Sequence, residues 1–476
     1  ALLYLATQAC GAVGSPVNFR LAPAEVAYVL DDSAPKAFVY DTALVDVVRA
    51  ALARCERQPD VLVAVGEVGV GRAATGEGAT GGGGVLPGAV RFEDLLVPGD
   101  DPVEVERGTF EETTRLYTSG TTGMPKGVPL NSIVEILSAH DVIMHFPLSP
   151  EDKTLNMTPW FHRGGLYSGG PNPAFYVGAS VVPMRAFDSG LCLDYVERFG
   201  LTFLVGAPTS LALLAKAQQD GPRDLSTLRG IVTMGAPLER EACLRYQNLL
   251  TARIFNGYGT SEAFWNTFLR PSDLPEHAGT AGRACTDDDV AVVKVLPDRL
   301  AEPDDLAAKD GAEVGEVIVR SPKCGYAYTN PEDHVQRFHQ GWLYIGDLAI
   351  WDAEEYVTIV GRKDDMIITG GENVHPVQVE EVLNEHPNVA DSLVVGVPHG
   401  EWGQMVVAYV VPSDPALTAF ECEQHCRDHP RLAGYKRPRA YRFVESLPLT
   451  ATGKKMHYKA REHAQSEYAE GLFVSP

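Results

Sequence analysis

The sequence predicts an α/β protein in which a large N-terminal part is followed by a small α+β module. Up to about residue 360, strand-like runs such as AFVY, TFLVGAP, GIVTMGA and ARIFNGYG alternate with helical stretches, which is typical of α/β layers. Between residues 285 and 345, short strands and turns predict a β-rich subdomain. After GRKDDMI the periodicity resets to helix, strand, strand, helix and strand. We therefore expect one domain over 1–362 and a second over 363–476.

Length, composition and charge restrict the class of protein. A chain of 476 residues exceeds the size at which a single hydrophobic core stops growing, so several domains are expected. Hydrophobic residues make up 45% and charged residues 22%, and no apolar run is long enough to cross a bilayer. The 40 basic and 63 acidic residues give a net charge of −23, which repels nucleic acid and anionic lipid. We expect a cytoplasmic protein without nucleic-acid or membrane partners, whose anionic substrates need a local positive pocket.

The eight cysteines are scattered along the chain, which is typical of reduced thiols rather than of a disulfide framework. One group, Cys422 and Cys426 with His425 and His429, resembles a metal cluster, but the segment ECEQHCRDH predicts a helix and favours packing over zinc. The chain opens with ALLYLATQAC, without Met or a basic segment, and so resembles a helix entered midway rather than a signal peptide. We expect the natural N-terminus to lie upstream.

The stretch TRLYTSGTTGMPKGVPL, residues 114 to 130, has the composition of a phosphate-binding loop. Glycines let the backbone approach a ligand, hydroxyl and N–H groups donate to anionic oxygens, and Lys126 adds a positive charge. The P-loop pattern does not fit, because Lys126 follows Pro125 and precedes Gly127 and Val128. A P-loop NTPase is therefore disfavoured. A simple Ser/Gly turn between strand and helix is the alternative.

A second motif, NGYGTSE at 256–262, follows a predicted strand. Tyr258 offers a flat surface for a base, Ser261 a hydroxyl donor, and Glu262 a hard oxygen ligand suited to Mg²⁺. The motif predicts nucleotide and metal contacts, although short motifs of this kind also occur by chance.

Three charged residues in later motifs complete the pattern. Asp347, in GDL at the end of a strand, can accept from both hydroxyls of a ribose. Arg362 lies in VGRKDDMIITGGENVHP, and Lys454 lies in the glycine-tethered loop LPLTATGKK. Each is weak alone, since an isolated GK is more often a solvated loop lysine.

Taken together, YTSGTTGMPKG, NGYGTSE, YIGDL, GRKDDMIITGGENVHP and the terminal GK resemble the adenylate-forming superfamily of acyl-CoA and aryl-CoA synthetases, non-ribosomal adenylation domains and beetle luciferases. The resemblance covers essentially the whole chain. Its C-terminal portion looks most like the 4-chlorobenzoate and benzoate type of CoA ligase. The implied fold is a large N-terminal domain of two β-α sheets plus a β-barrel, with a small mobile α+β C-terminal domain.

The resemblance also implies roles for individual residues. Lys454, Glu262 and Lys126 match catalytic positions, with Glu262 as the Mg²⁺ ligand, and Asp364 matches the hinge. The family's acyl-pocket positions correspond to His162, Gly165, Gly235, Gly257 and Phe264 of this chain. Its CoA-facing positions correspond to Gly371, Trp402, Tyr435 and Arg437. The positions that match ATP and AMP contacts are Thr118, Ser119, Gly120, Thr121, Thr122, Gly123, Gly235, Ala236, Pro237, Asn256, Gly257, Tyr258, Ser261, Asp347 and Arg362.

Two positions depart from the family pattern. Asn131 stands where many members have His, and Ile345 replaces the Thr of TGD. Neither is a charged partner of the substrates, so both departures are compatible with activity.

The implied reaction joins a small carboxylic acid to CoA in two halves, with ATP, Mg²⁺ and coenzyme A. Lysine, Mg²⁺ and backbone donors neutralise the charge as the carboxylate attacks ATP, and CoA then displaces AMP. The alternatives are an adenylating enzyme that loads a carrier protein and an inactive acyl or nucleotide sensor. Against the sensor, the chain keeps all five charged residues, Lys126, Glu262, Asp347, Arg362 and Lys454. We expect a monomer or homodimer.

The identity of the carboxylic acid is the property that the sequence determines least. The segments FHRGGLYSGGPNP and SEAFWNTF combine glycines with Phe264 and Trp265, which predicts a roomy apolar pocket with aromatic walls. This favours a bulky cyclic, aryl or polycyclic acid over an amino acid, since neither Lys nor Asp is evident there to hold an ammonium group. The alternative is that the glycines only allow close helix packing.

Overall fold

A computed structural model describes residues 1–66, 84–97, 99, 103, 105–119, 125–296, 299–324, 328–329, 337–450 and 453–476. The chain forms two compact units. The first comprises Ala1–Val134, Trp160–Arg163 and Gly325–Pro331, and the second Glu135–Pro159, Gly164–Cys324 and Glu332–Pro476. The domains 1–362 and 363–476 stay a prediction, since the second unit holds the chain on both sides of residue 362. In the described residues, no helix has the length and apolarity that a membrane span requires.

The first unit contains a parallel sheet, β1 to β3, and an antiparallel pair, β4 and β5. Helices α2 and α3 bury apolar residues such as Val26, Leu30 and Ala51 in its core. The predicted strand AFVY is confirmed, while most of the glycine-rich stretch at 66–88 lies outside the described residues. The elements are α1 (Leu2–Ala9), α2 (Pro23–Ser33), β1 (Ala37–Asp41), α3 (Val45–Leu52), β2 (Val61–Val65), β3 (Val90–Arg91), β4 (Glu112–Ser119) and β5 (Pro125–Asn131), followed by α4 (Ser132–His145).

The largest sheet of the second unit has the order β12-β11-β10-β9-β8-β6-β7. Strands β7, β6, β8, β9 and β10 run parallel, so their carboxyl ends meet at one edge, where α/β proteins bind ligands. The elements are β6 (Lys153–Asn156), α5 (Arg163–Tyr167), α6 (Pro171–Val177), β7 (Ser180–Val181), α7 (Ser189–Phe199), β8 (Phe203–Gly206), α8 (Pro208–Asp220), β9 (Gly230–Met234), α9 (Arg240–Leu249), β10 (Ile254–Thr260), β11 (Phe264–Leu269) and β12 (Arg283–Ala284).

A sheet of antiparallel strands follows, at the position of the predicted β-rich subdomain. Strand β16 is its centre, because β14, β15 and β17 all pair with it. The register sets Asp347 opposite Arg362. The strands are β13 (Asp289–Lys294), β14 (Gly315–Arg320), β15 (Phe338–His339), β16 (Trp342–Trp351) and β17 (Val357–Arg362).

The C-terminal segment forms its own sheet in the order β19-β18-β21-β20, with β22 beside β21. The predicted order of helix, strand, strand, helix and strand is confirmed. Cys422 and Cys426 are fully buried in its core, which agrees with helix packing. The elements are β18 (Ile367–Thr369), β19 (Glu372–Val374), α10 (Pro376–Asn384), β20 (Val389–His399), β21 (Gly403–Pro412), α11 (Ala419–Asp428), β22 (Ala440–Phe443) and α12 (His457–Ala469).

A buried ionic network centres on Lys323. Its Nζ donates to Asp141 Oδ2 of α4 at 2.6 Å and to the Trp265 carbonyl of β11 at 2.8 Å, and it lies 3.0 Å from Asp288 Oδ2. The side chains of the three charged residues are at most 3% exposed. Burial disfavours the ammonium form of Lys323, but the attraction of Asp141 and Asp288 raises its pKa. The network fixes the position of the β11 backbone at Trp265.

Asp141 also lies close to His145 and Cys285, and the three residues offer ligand atoms within 4.8 Å of one another. A metal ion would have to share this space with the ammonium of Lys323, which already lies 2.6 Å from Asp141 Oδ2. We therefore interpret the cluster as part of a buried ion-pair network in which Lys323 supplies the positive charge, and not as a metal site.

Substituting Lys323→Met is expected to lower the free energy of unfolding by about 3–5 kcal/mol, because two buried carboxylates lose their counter-charge. Urea unfolding measures the effect. The control is Arg320→Met, whose partner Asp289 is exposed; its cost should stay below about 1 kcal/mol. Equal effects of the two substitutions would contradict the structural role of the network.

Candidate active site

The phosphate-loop candidate is a β hairpin in the first unit. Strands β4 and β5 pair so that Thr118 lies opposite Lys126 and the backbone of Ser119 opposite Pro125. The ammonium of Lys126 lies 6.0 Å from the centroid of the Tyr328 ring. Lys126 is thus the second residue of β5, at the end of the hairpin where the two strands are connected. The residues predicted to wrap the phosphates, Gly120, Thr121, Thr122 and Gly123, lie outside the described residues.

In the second unit, one carboxylate joins residues of three separate sequence motifs. Asp347 accepts from Arg362 Nη1 at 2.5 Å and from the Tyr258 hydroxyl at 2.7 Å. Burial and then the charge of Asp347 raise the pKa of Tyr258 well above its usual value. Burial opposes the charge of Arg362, yet Asp347 and its neighbours raise the pKa of the guanidinium. The triad is held in one arrangement with Arg362 charged and Tyr258 neutral.

A short loop presents Lys454. Leu449 forms a β-bridge with Lys455, and Lys454 N donates to Thr450 Oγ1 at 3.0 Å. Gly453, at φ +82°, approaches α8 so closely that a Cβ there would lie 2.8 Å from Thr209 Oγ1. The loop is therefore pressed against the beginning of α8, at the carboxyl edge of the large sheet.

The side chain of Lys454 reaches over the end of β9. A Cβ placed on Gly235 would lie 3.4 Å from Lys454 Cε. The residue is exposed, yet the loss of hydration beside the sheet lowers its pKa. Arg362 lowers the pKa further, while Asp347 and Glu262 oppose the shift. An under-solvated ammonium at this edge favours the approach of an anion.

The remaining predicted nucleotide residues of this unit lie on the same sheet edge or the strands beneath it. Ala236 and Pro237 follow Gly235 in the connection between β9 and α9, and Ser261 and Glu262 form the half-buried turn between β10 and β11. Asn256 is buried, and its Nδ2 donates to the Thr280 carbonyl at 3.2 Å.

The predicted acyl-pocket residue Phe264 begins β11 at φ +60° and is buried. Its ring stacks on Trp265 at 4.9 Å and 17° and meets Tyr167 edge-on at 6.2 Å. A Cβ on Gly257 would lie 2.8 Å from Trp265 Nε1. The indole therefore occupies the space beside Gly257.

Gly165 has a packing role in addition to its predicted pocket role. A Cβ on Gly165 would overlap the carbonyl oxygen of Pro159, so the turn before α5 closes only with glycine. His162 belongs to the first unit, where it is half-buried. Their contact with an acyl group stays a prediction.

The predicted CoA residues gather on the C-terminal sheet. The guanidinium of Arg439 lies 5.8 Å from the Trp402 ring centroid, and its Nη2 donates to the Gly434 carbonyl at 3.1 Å. Arg437 Nε donates to the same carbonyl at 3.0 Å, and the neighbouring Tyr435 is exposed. Cation and ring together form a surface suited to a nucleotide, although Arg437 also pairs with another side chain, that of the buried Glu423.

Two further residues lie on turns of this segment. Gly371 is exposed at φ +83° beside Gly370, whose N–H donates to the Trp402 carbonyl at 2.8 Å. Asp364 is exposed in the 3₁₀ turn Lys363–Asp365, and its carbonyl accepts from Arg461 Nη1 at 2.9 Å. Gly371 is therefore linked to the Trp402 cluster.

Sequence reasoning missed three residues that the structure adds to these groups. Tyr328 lies beside Lys126, Arg439 lies over Trp402, and Lys455 anchors the loop of Lys454. The repeated basic residues in KRPR and GKK were the available signals.

Comparison with known proteins decides the family. Residues 1–329 match the AMP-binding enzyme family, and residues 378–454 match the AMP-binding enzyme C-terminal domain. This chain belongs to the AMP-binding enzyme family. The predicted superfamily is confirmed, while the 4-chlorobenzoate and benzoate subtype stays a prediction. As a member, the chain is an AMP-forming acyl-CoA synthetase whose substrates are a carboxylic acid, ATP and CoA.

Relatives of this AMP-binding enzyme act on different acids. Indoleacetate–CoA ligase of Aromatoleum aromaticum is 32% identical over 93% of this chain and 82% of its own. Long-chain-fatty-acid–CoA ligase of Thermus thermophilus is 30% identical over 98% and 83%. The solved anthranilate CoA ligase AuaEII, in complex with anthranoyl-AMP, aligns with a TM-score of 0.82 at 26% identity over 98% of this chain and 85% of its own. The predicted fold class is confirmed.

Substituting Asp347→Asn is expected to raise the KM for ATP about 10- to 100-fold, because an amide loses the charge that holds Arg362 and Tyr258, and a hydrogen bond to a charged group contributes about 1.5–3 kcal/mol. Steady-state titration of ATP measures the change. Asp289→Asn, in an exposed pair of the same unit, serves as control and should leave KM unaltered. An unaltered KM in Asp347→Asn would remove Asp347 from the nucleotide site.

Proposed function

We propose that this acyl-CoA synthetase activates a flat aryl or other cyclic carboxylic acid and transfers it to CoA rather than to a carrier protein. A single observation carries the substrate class. Phe264 and Trp265 stack at 4.9 Å beside Gly257, one residue before the nucleotide-site Tyr258. The two rings form one aromatic wall, and a planar ring stacks on such a wall with better contact than a flexible chain does.

The surroundings of Trp265 support a narrow aromatic pocket. Its ring lies 4.7 Å from that of Phe268 and 5.9 Å from that of Phe146, so the space behind it is filled. The close packing at Gly165 also reduces the room that the glycines were expected to provide. We therefore favour a single flat ring system over a bulky polycyclic one.

Two of the three relatives act, by name, on aromatic acids, indoleacetate and anthranilate, whereas the Thermus thermophilus enzyme acts on long-chain fatty acids. The first two support the aryl proposal, and the third supplies the alternative to test. The Trp402, Arg439 and Arg437 cluster supports CoA as acceptor, because it offers a ring and cations to a nucleotide.

The proposed first half-reaction uses Lys454. The carboxylate oxygen attacks the α-phosphorus of ATP, the bond to pyrophosphate breaks, and an acyl-adenylate remains. Both reactants are anions, so a cation between them lowers the barrier. Lys454 reaches over Gly235, and the negative charges of Asp347 and Glu262 favour its ammonium form, which supports this role.

Glu262 is the proposed Mg²⁺ ligand. It is a carboxylate, the ligand type that Mg²⁺ prefers, and its negative charge attracts the ammonium of Lys454 at the edge of the sheet. When bound, Mg²⁺ neutralises phosphate charge. Lys126, Thr118 and the loop between them are the proposed holders of the β- and γ-phosphates.

In the proposed second half-reaction, the CoA thiol attacks the acyl carbon and AMP leaves with the bonding electron pair. Lys454 has no task in this step. The C-terminal segment would then turn about Asp364, withdraw Lys454 and bring Gly371 and Trp402 towards the adenylate.

A pyrophosphate-release screen tests the substrate proposal. Benzoic, phenylacetic, indoleacetic and cinnamic acids are compared with fatty acids of equal carbon number. Ring-hydroxylated and unsubstituted acids form matched pairs, because the buried Nε1 of Trp265 has no acceptor within the described part of the chain. Preference for fatty acids would overturn the aryl proposal. Adding either CoA or a carrier protein to the formed adenylate then identifies the acceptor.

Substituting Lys454→Ala is expected to slow adenylate formation by on the order of 10²- to 10³-fold, because removing one donor from a developing charge costs about 3–4 kcal/mol. Thioester formation from a supplied acyl-adenylate should persist. Single-turnover assays of each half measure both rates. Lys459→Ala, an exposed lysine of α12, is the matched control. Equal loss in both halves would mean that Lys454 has another role.

Substituting Asp364→Pro is expected to preserve the first pyrophosphate burst and to abolish transfer to CoA, with acyl-adenylate accumulating on the enzyme. Proline fixes φ near −65°, a value within the range of a 3₁₀ turn, and so removes the rotational freedom at this position. Asp364→Ala removes the charge without fixing φ and should perform both halves. Normal CoA transfer by a folded Asp364→Pro enzyme would exclude Asp364 as the hinge.

A further inference from the structure

The loop that carries Lys454 is anchored by the next residue. Lys455 Nζ lies 3.2 Å from Glu380 Oε2 of α10 and 2.8 Å from Asp391 Oδ1 of β20. Lys455 is also paired through its backbone, in the bridge with Leu449. Because successive side chains of an extended strand point to opposite sides, fixing Lys455 inward turns Lys454 outward.

Glu380 is the centre of this anchor. It is 4% exposed, and its Oε1 accepts from Val394 N at 2.8 Å and lies 2.6 Å from His457 Nε2. Burial alone would raise the pKa of Glu380, but Lys455, His457 and the Val394 N–H lower it to about 2. Burial likewise disfavours the imidazolium of His457, while Glu380 outweighs burial and raises its pKa. The three charges therefore depend on one another.

The anchor continues towards the 3₁₀ turn at Lys363–Asp365. His457 is the first residue of α12, and its Nδ1 lies 4.0 Å from Asp365 Oδ2. One turn later, Arg461 Nη2 lies 2.5 Å from Asp365 Oδ1. Ionic contacts thus connect the turn that holds Asp364 with the loop that holds Lys454.

We propose that Glu380, Lys455 and His457 form an ionic anchor that aims Lys454 at the carboxylate and the α-phosphate, which makes them positioning residues for adenylation. The inference rests on the proposed role of Lys454. None of the three needs to touch substrate. They fix the direction of the loop, and a misplacement of about 1 Å at a reacting group is enough to cost about 10²-fold in rate.

The test compares Lys455→Met and Glu380→Gln with wild type in separate half-reactions. Adenylate formation should fall on the order of 10- to 100-fold, because Lys454 is no longer held in one direction. Thioester formation from a supplied acyl-adenylate and CoA should match wild type. Lys455→Arg keeps a cation that reaches both carboxylates and should restore most of the adenylation rate. If Glu380→Gln fails to fold, Lys455→Met still decides, since it leaves Glu380 its bonds to Val394 and His457.

Glu467→Gln is the matched control, because Glu467 is another carboxylate of the C-terminal segment with two partners, Tyr409 and Arg442, and lies further along α12. It should leave both halves unchanged. Wild-type adenylation in folded Lys455→Met, or equal loss in both halves, would overturn the anchor alone. A wild-type enzyme that releases no pyrophosphate with any acid would overturn the proposed function and the anchor with it.

Discussion

The carboxylate of Asp347 is the constraint on which the geometry of the candidate nucleotide site depends. It holds Arg362 at 2.5 Å and Tyr258 at 2.7 Å, and so joins the antiparallel sheet to the end of β10. A carboxylate can satisfy two donors at once, because each oxygen accepts separately. The antiparallel pairing of β16 with β17 sets Asp347 against Arg362, and the strand register therefore determines the site.

Positive charge is scarce in this chain, and its placement decides where anions bind. The net charge of −23 repels anions on average, yet Lys454 and Arg362 lie near each other at the carboxyl edge of the large sheet. Loss of hydration, joined by the charge of Arg362, lowers the pKa of Lys454, and an anion placed beside this ammonium would offset that cost. The charge pattern of the whole protein and that of the site are thus opposite.

Buried charged groups fix the backbone next to the candidate site residues. Lys323 fixes the backbone of Trp265 from behind, and Glu380 holds Lys455 beside Lys454. Both arrangements bury several charges together, which is stable only when every charge keeps its partner. Ion pairs in the interior and backbone pairing therefore fix the positions of the residues at the edge of the sheet.

The sequence by itself determined the α/β class, the order of elements in the C-terminal segment and the motifs that identify the family, because periodicity, turn residues and short glycine-rich signatures are local properties. It also marked Asp347, Arg362 and Lys454 as candidates. Only the tertiary structure decided that Asp347 joins Tyr258 and Arg362, that Trp265 fills the space beside Gly257, and that Lys455 turns inward. Some of these contacts connect residues far apart in the chain, and all of them depend on strand register and packing, which no local pattern encodes.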